Sequence, residues 1–129
     1  MKKLTEEWLK AARDDLAVSE KILDEESLSH MVAFHSQQCV EKAFKALFEE
    51  HEIGLKKMHN LVTLHARVEQ WLPEDIDLLL LKTLDALYIE ARYPGELGLL
   101  PNGRPSQQDA QVFYEFAKSI METVRKGLQ

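Results

Sequence analysis

The placement of apolar residues constrains this chain more than any other feature. They recur at intervals of three and four in nearly every segment, and β-branched residues are too scattered to alternate as strands. The expected fold is all-α, an up-and-down antiparallel bundle of about five helices forming a single domain over residues 1–129. A first helix is expected from Leu4 to Glu25. Thr5 is its expected N-cap, Glu6 and Glu7 suit the positive end of the dipole, and Trp8, Leu9, Ala12, Leu16, Ser19, Ile22 and Leu23 form the apolar face. A second runs from His30 to Glu50. Its strip of mostly small residues, Val32, Ser36, Cys39, Ala43, Ala46 and Leu47, lets another helix come close, and Phe44 and Phe48 add bulk beside it.

After Gly54, a connection over Leu55 to His59 leads to a third helix with Leu61, Leu64, Val68 and Trp71 on one face, capped by His59 or Asn60. Pro73, Glu74 and Asp75 read as the first turn of a fourth helix. Its core stripe is Ile76, Leu79, Leu80, Leu84, Leu87 and Ala91, and Leu78 and Leu81 widen the apolar surface almost all round. Such a helix is either central or at a subunit interface, and Pro94 ends it near Arg92. Residues 94–105 hold three prolines and three glycines without a period, a loop of a length that is usually functional or mobile. Ser106 to Asp109 then open a last helix as a capping box, with Val112, Phe113, Phe116, Ile120, Met121 and Val124 as its buried stripe.

Composition narrows the class. Hydrophobic residues at 45% with 29% charged describe a globular chain, and no apolar run approaches the ~20 residues of a membrane span. The two N-terminal lysines have no apolar core behind them, so no secretory signal is expected and the expected compartment is the cytoplasm. The single cysteine, Cys39, makes no internal disulfide and reads as a buried hydrophobe. A net charge of −6 argues against a broad surface that tracks nucleic-acid phosphates, while leaving room for a small basic pocket.

No metal site is expected. The Glu-x-x-His spacing of carboxylate-bridged bundles is missing from the sequence, and His30 and His35 differ by about 140° around a helix, His59 and His65 by about 120°. Neither common phosphate-cradling glycine loop is present. Gln38, Lys42 and Lys45 do share one face of the second helix, with Gln37 and Glu41 beside them. They form either a solvated surface in which Glu41 pairs with Lys45, or an anion pocket in which the lysines meet a phosphate and the glutamines a base or ribose. Asp85, Tyr88 and Arg92 follow a spacing of three and four, with Tyr93 next. Either Arg92 binds a phosphate while a ring stacks on a base, or it caps its own helix with Asp85 neutralising it.

Phe34-His35-Ser36-Gln37-Gln38-Cys39-Val40-Glu41-Lys42-Ala43-Phe44-Lys45-Ala46-Leu47, then His59-Asn60-Leu61, then Tyr88-Ile89-Glu90-Ala91-Arg92-Tyr93-Pro94-Gly95, resembles the HEPN family of small helical domains across nearly the whole chain. That resemblance implies an all-α bundle that dimerises and that often pairs with a small nucleotidyltransferase in a toxin–antitoxin-like arrangement. Combined with the two polar clusters, the expectation is a noncatalytic module, with no cofactor, that binds a purine nucleotide among Gln38, Lys42, Lys45, Tyr88, Arg92 and Tyr93. Ribonuclease branches of the family carry an Arg-x(4–6)-His signature. Here Arg92 is followed by Leu97, Gly98 and Leu99 at the three positions open to the histidine. The alternative, a metal-independent ribonuclease acting on RNA, therefore needs Arg92 on the phosphate and His59 as acid or base, brought near each other by the fold.

Overall fold

The computed structural model describes residues 1–54, 57–92 and 104–129, with residues 90–92 described by backbone alone. Five helices order the chain: α1 (Lys3–Ile22), α2 (Ser29–Glu50), α3 (Leu61–Val68), α4 (Leu78–Arg92) and α5 (Gln107–Leu128). Short 3-10 turns occupy Glu26–Leu28 and Glu69–Trp71, and no strand occurs among the described residues. The all-α expectation holds. No helix among the described residues is long and apolar enough to cross a membrane.

Helix α2 is the axis of the fold. Fourteen of its 22 residues are buried, and Val32, Ala33, Cys39, Val40, Ala43, Phe44, Ala46 and Phe48 are fully so. The small-residue strip works as its composition implies. Ala12 is completely buried against it, and Ser19 donates to the Val32 carbonyl (3.3 Å) and shares a hydrogen bond with Ser36 (3.4 Å). Partners fall along α1 as they rise along α2, from Ser19 with Val32 through Asp15 with Lys42 to Thr5 with Glu50, which makes the pair antiparallel. On its other flank α2 meets α4, antiparallel again, through Phe34 with Tyr88 and Gln37 with Asp85.

Helix α5 lies on α2 and α1 and barely touches α4, the helix before it in the chain. Val32 packs with Ala110 and Tyr114, and the Tyr114 hydroxyl donates to Glu20 (2.7 Å). Phe113, Ile120, Met121 and Val124 are buried as expected, but Val112 stands half exposed, its place on the buried face taken by Ala110, Tyr114 and Ala117. The Ser106–Asp109 capping box forms as read.

Three local expectations are corrected. Thr5 lies inside α1 rather than capping it: its side chain is buried and donates to Glu50 Oε1 (3.0 Å), while Lys2 takes the cap position and α1 stops at Ile22. Pro73 does not open α4. The helix begins at Leu78, five residues later, where Asp77 Oδ1 accepts from the Leu80 amide (3.1 Å) as the effective cap. The leucine run also has another phase. Leu81 and Leu84 face α2 with no exposure, whereas Leu78 is 48% and Leu79 71% exposed. Most of the 94–105 loop lies outside the described residues.

A candidate anion-binding face on helices two and four

The two polar clusters of the sequence meet at one face. Phe34 of α2 stacks on Tyr88 of α4, with centroids 5.3 Å apart and planes 18° from parallel. One turn further along α2 the fully buried Gln37 donates from Nε2 to the His59 carbonyl (3.1 Å) and reaches Asp85 Oδ1 and Glu41 Oε1 at 3.4 Å each. Its own Oε1 accepts from Gln38 (2.7 Å). Gln37 thus ties α2, α4 and the approach to α3 together and orients Gln38 from behind.

Asp85 does not serve as a simple counter-charge within α4. Both its carboxyl oxygens accept from the Leu61 amide (3.0 and 2.9 Å), so it caps α3 from another helix, alongside Asn60, which accepts from the Thr63 amide (3.1 Å). Burial holds the Asp85 carboxyl above the usual range, against the bonds from Leu61, Gln37 and Val62, and the nearby Glu41 charge adds to the rise.

Neither lysine of the strip is a free cation. Lys45 Nζ donates to Glu41 Oε2 (2.9 Å) and lies 5.5 Å from the centre of the Trp8 ring. The expected Glu41–Lys45 pair forms, but it is buried rather than solvated, with side chains 6% and 10% exposed. Lys42 Nζ donates to Asp15 Oδ2 (2.6 Å), an α1 carboxylate that sequence reasoning passed over. A signal was there: Asp15 lies three residues after Ala12 and four before Ser19, on the apolar face of α1.

Each of these carboxylates also holds a histidine. His35 Nδ1 is 2.9 Å from Asp15 Oδ1, and His59 Nδ1 is 3.2 Å from Glu41 Oε2. Burial by itself would raise the Asp15 carboxyl. The hydrogen bonds from His35 and Lys42, with their charge, outweigh it and hold the group below its ordinary value. His35, also edge-on to Phe34, was missed as a site residue. Cys39 is buried between the helices, and burial, with Asp15 adding to it, pushes its thiol up to about 12.

Of the residues singled out by sequence, Gln38, Lys42, Lys45 and Tyr88 share this face, and His59 joins it through Glu41 and Gln37. Arg92 falls on the backbone of α4 four residues after Tyr88 and seven after Asp85, on the same side of the helix. Its side chain and the whole of Tyr93 lie outside the described residues, so the expected meeting of His59 with Arg92 lies outside them too. Among the described residues no group of three or more His, Cys, Asp or Glu is placed to hold a metal ion.

Comparison with known proteins decides the family, because the HEPN domain model matches residues 5–127. The chain belongs to the HEPN domain family. A crystal structure of an archaeal HEPN homologue superposes with a TM-score of 0.75 at 29% identity, covering 100% of both chains. A second crystal structure, of a Thermus thermophilus protein, gives 0.70 at 28% identity over 95% of this chain and 97% of that one. In sequence, the chain is 27% identical over 134 aligned residues to the Methanocaldococcus jannaschii protein named "Putative toxin MJ1304", covering 95% of this chain and 86% of that one. The α2–α4 face is therefore part of a HEPN domain, and Phe34 through Leu47 lie within the matched region.

Proposed function

We propose that this HEPN domain is a noncatalytic module that binds a purine nucleotide and a protein, acting in the cytoplasm as a homodimer with a small nucleotidyltransferase in a toxin–antitoxin-like pair. One observation carries the nucleotide half. Phe34 and Tyr88 stack beside Gln38, and the backbone of α4 runs from there to Arg92 and Tyr93, so an aromatic surface, an amide and an arginine position occur along one face. Lys42 and Lys45 border that face. The name of the methanococcal relative supports the toxin–antitoxin setting. Exposed Leu78 and Leu79 on α4 support a second copy as the cover of that helix. The nucleotidyltransferase partner rests on the family resemblance of the motifs.

Calorimetric titration with ATP, GTP and AMP tests the reading, with Arg92→Ala alongside and circular dichroism confirming that the variant is folded. Micromolar binding that the variant loses is expected. Silence of the wild type at millimolar nucleotide refutes it.

A second reading is favoured by the Glu41–His59 pair. A buried carboxylate on Nδ1 fixes an exposed imidazole with Nε2 turned outward, as an acid or base requires. On that reading the domain is a metal-independent ribonuclease with Arg92 on the phosphate. RNA cleavage in the presence of a chelator, lost in both His59→Ala and Arg92→Ala, is its expected signature.

A further inference from the structure

The charges of the α2 strip combine into two clusters of the same make-up. Asp15 holds Lys42 and His35, and Glu41 holds Lys45 and His59. In each, a carboxylate shielded from solvent, with its side chain 11% or 6% exposed, meets one lysine at 2.6 or 2.9 Å and one imidazole through Nδ1. The lysine charge is cancelled by the carboxylate, so each cluster is neutral when its imidazole is neutral and carries one positive charge when it is protonated. Imidazole is in general the side chain whose charge changes between about pH 5 and 8. The carboxylate fixes the ring at Nδ1 and leaves Nε2 directed away from it, and no described residue takes either Nε2. The His59 side chain is 60% exposed and that of His35 23%. Gln38 stands on α2 between the two clusters, its amide turned by Gln37.

We propose that His35 and His59, rather than Lys42 and Lys45, are the cationic groups this face offers to a phosphodiester, and that they hold it in protonated form. The inference rests on the nucleotide-binding reading and adds its consequence, that binding takes up protons. The lysines keep both carboxylates neutralised, so protonation creates surplus positive charge instead of an internal salt bridge alone. Among the described residues, the Phe34 ring meets His35 edge-on, Asp85 of α4 lies within electrostatic reach of the Glu41 that holds His59, Gln37 joins Asp85 to the His59 backbone carbonyl, and the Cys39 thiol lies near Asp15. Asp85 also loses charge on acidification, so pH dependence by itself does not assign the effect, and variants of the two histidines are needed.

The test uses the deoxydinucleotide dApdA, whose single phosphate charge is constant through the range and which lacks the 2′-hydroxyl of a ribonuclease substrate. Affinity measured by calorimetry is expected to be roughly tenfold higher at pH 5.5 than at pH 8, the difference between a neutral and a charge-assisted hydrogen bond. The observed heat should change with the ionisation heat of the buffer, reporting proton uptake in the unaltered protein. His59→Gln should reduce the pH effect and the His35→Gln/His59→Gln pair abolish it, with dichroism at both pH values confirming the fold. Equal affinity at the two pH values, or a pH effect that survives in the double variant, overturns the proposal while leaving the nucleotide reading intact. Failure of dApdA to bind at either pH overturns the proposal alone, and the titration with ATP, GTP and AMP decides the nucleotide reading separately.

Discussion

Replacing Asp85 by alanine removes the group that joins α4 to the start of α3. Both its oxygens accept from the Leu61 amide, and Leu61 is fully buried, so the freed N–H has no water to turn to. A lost hydrogen bond to a carboxylate costs roughly 1.5–3 kcal/mol, and the unpaired buried donor takes the sum toward the upper end, about 3 kcal/mol. The Gln37 amide loses less, because the His59 carbonyl and Glu41 remain as acceptors. In urea, with a slope of about 2 kcal/mol per molar, the unfolding midpoint should fall by roughly 1.5 M with the slope unchanged. Asp85→Asn separates cap from charge. It keeps an acceptor for Leu61 and resembles the neutral form toward which burial pushes this carboxyl, so its cost should stay under about 1 kcal/mol. If alanine costs less than about 0.5 kcal/mol, or if asparagine costs as much as alanine, Asp85 does not cap α3 in the way described.

Asp15→Asn should destabilise the fold more at neutral pH than in acid. The folded carboxyl is held below its unfolded value, so its contribution is complete above that value and is lost as pH falls through the lower folded one. The gap between wild type and variant in urea should therefore narrow below about pH 4, and a gap as wide at pH 3 as at pH 5 contradicts the assignment. Ala12→Leu inserts bulk where α1 and α2 touch with no exposure, and should cost about 1–3 kcal/mol in the same assay. Ser106→Ala removes the acceptor for the Asp109 amide and should cost about 1 kcal/mol, with faster amide exchange confined to the first turn of α5 and recovery in Ser106→Asp.

Much of the fold is legible in the sequence because it depends on neighbours three and four residues apart. The α2 strip from Val32 to Leu47, the Asn60 cap and the Ser106 capping box all follow from such spacings, and the structure has them. The start of α4 was misread for a related reason. Pro73 and Asp77 are both acceptable local openings, and local rules do not rank them. Four consecutive leucines, Leu78 to Leu81, contain no phase of their own. Only the placement of α4 on α2 turns Leu81 inward and leaves Leu79 out.

The candidate face divides along the same line. Sequence by itself determined that Gln38, Lys42 and Lys45 share a side of α2, and that Asp85, Tyr88 and Arg92 share a side of α4, since helical period alone decides both. That the two sides meet through Phe34 with Tyr88 and Gln37 with Asp85 was decided by tertiary structure, as was the neutralising of both lysines by Asp15 and Glu41. Lys42 and Asp15 are 27 residues apart and His59 and Glu41 eighteen. Whether such pairs form depends on how far each helix is rotated about its own axis against the next. That rotation is set by the packing of the whole core, with small residues at Ala12, Ser19 and Ser36 drawing α1 against α2 until Asp15 reaches Lys42 and His35.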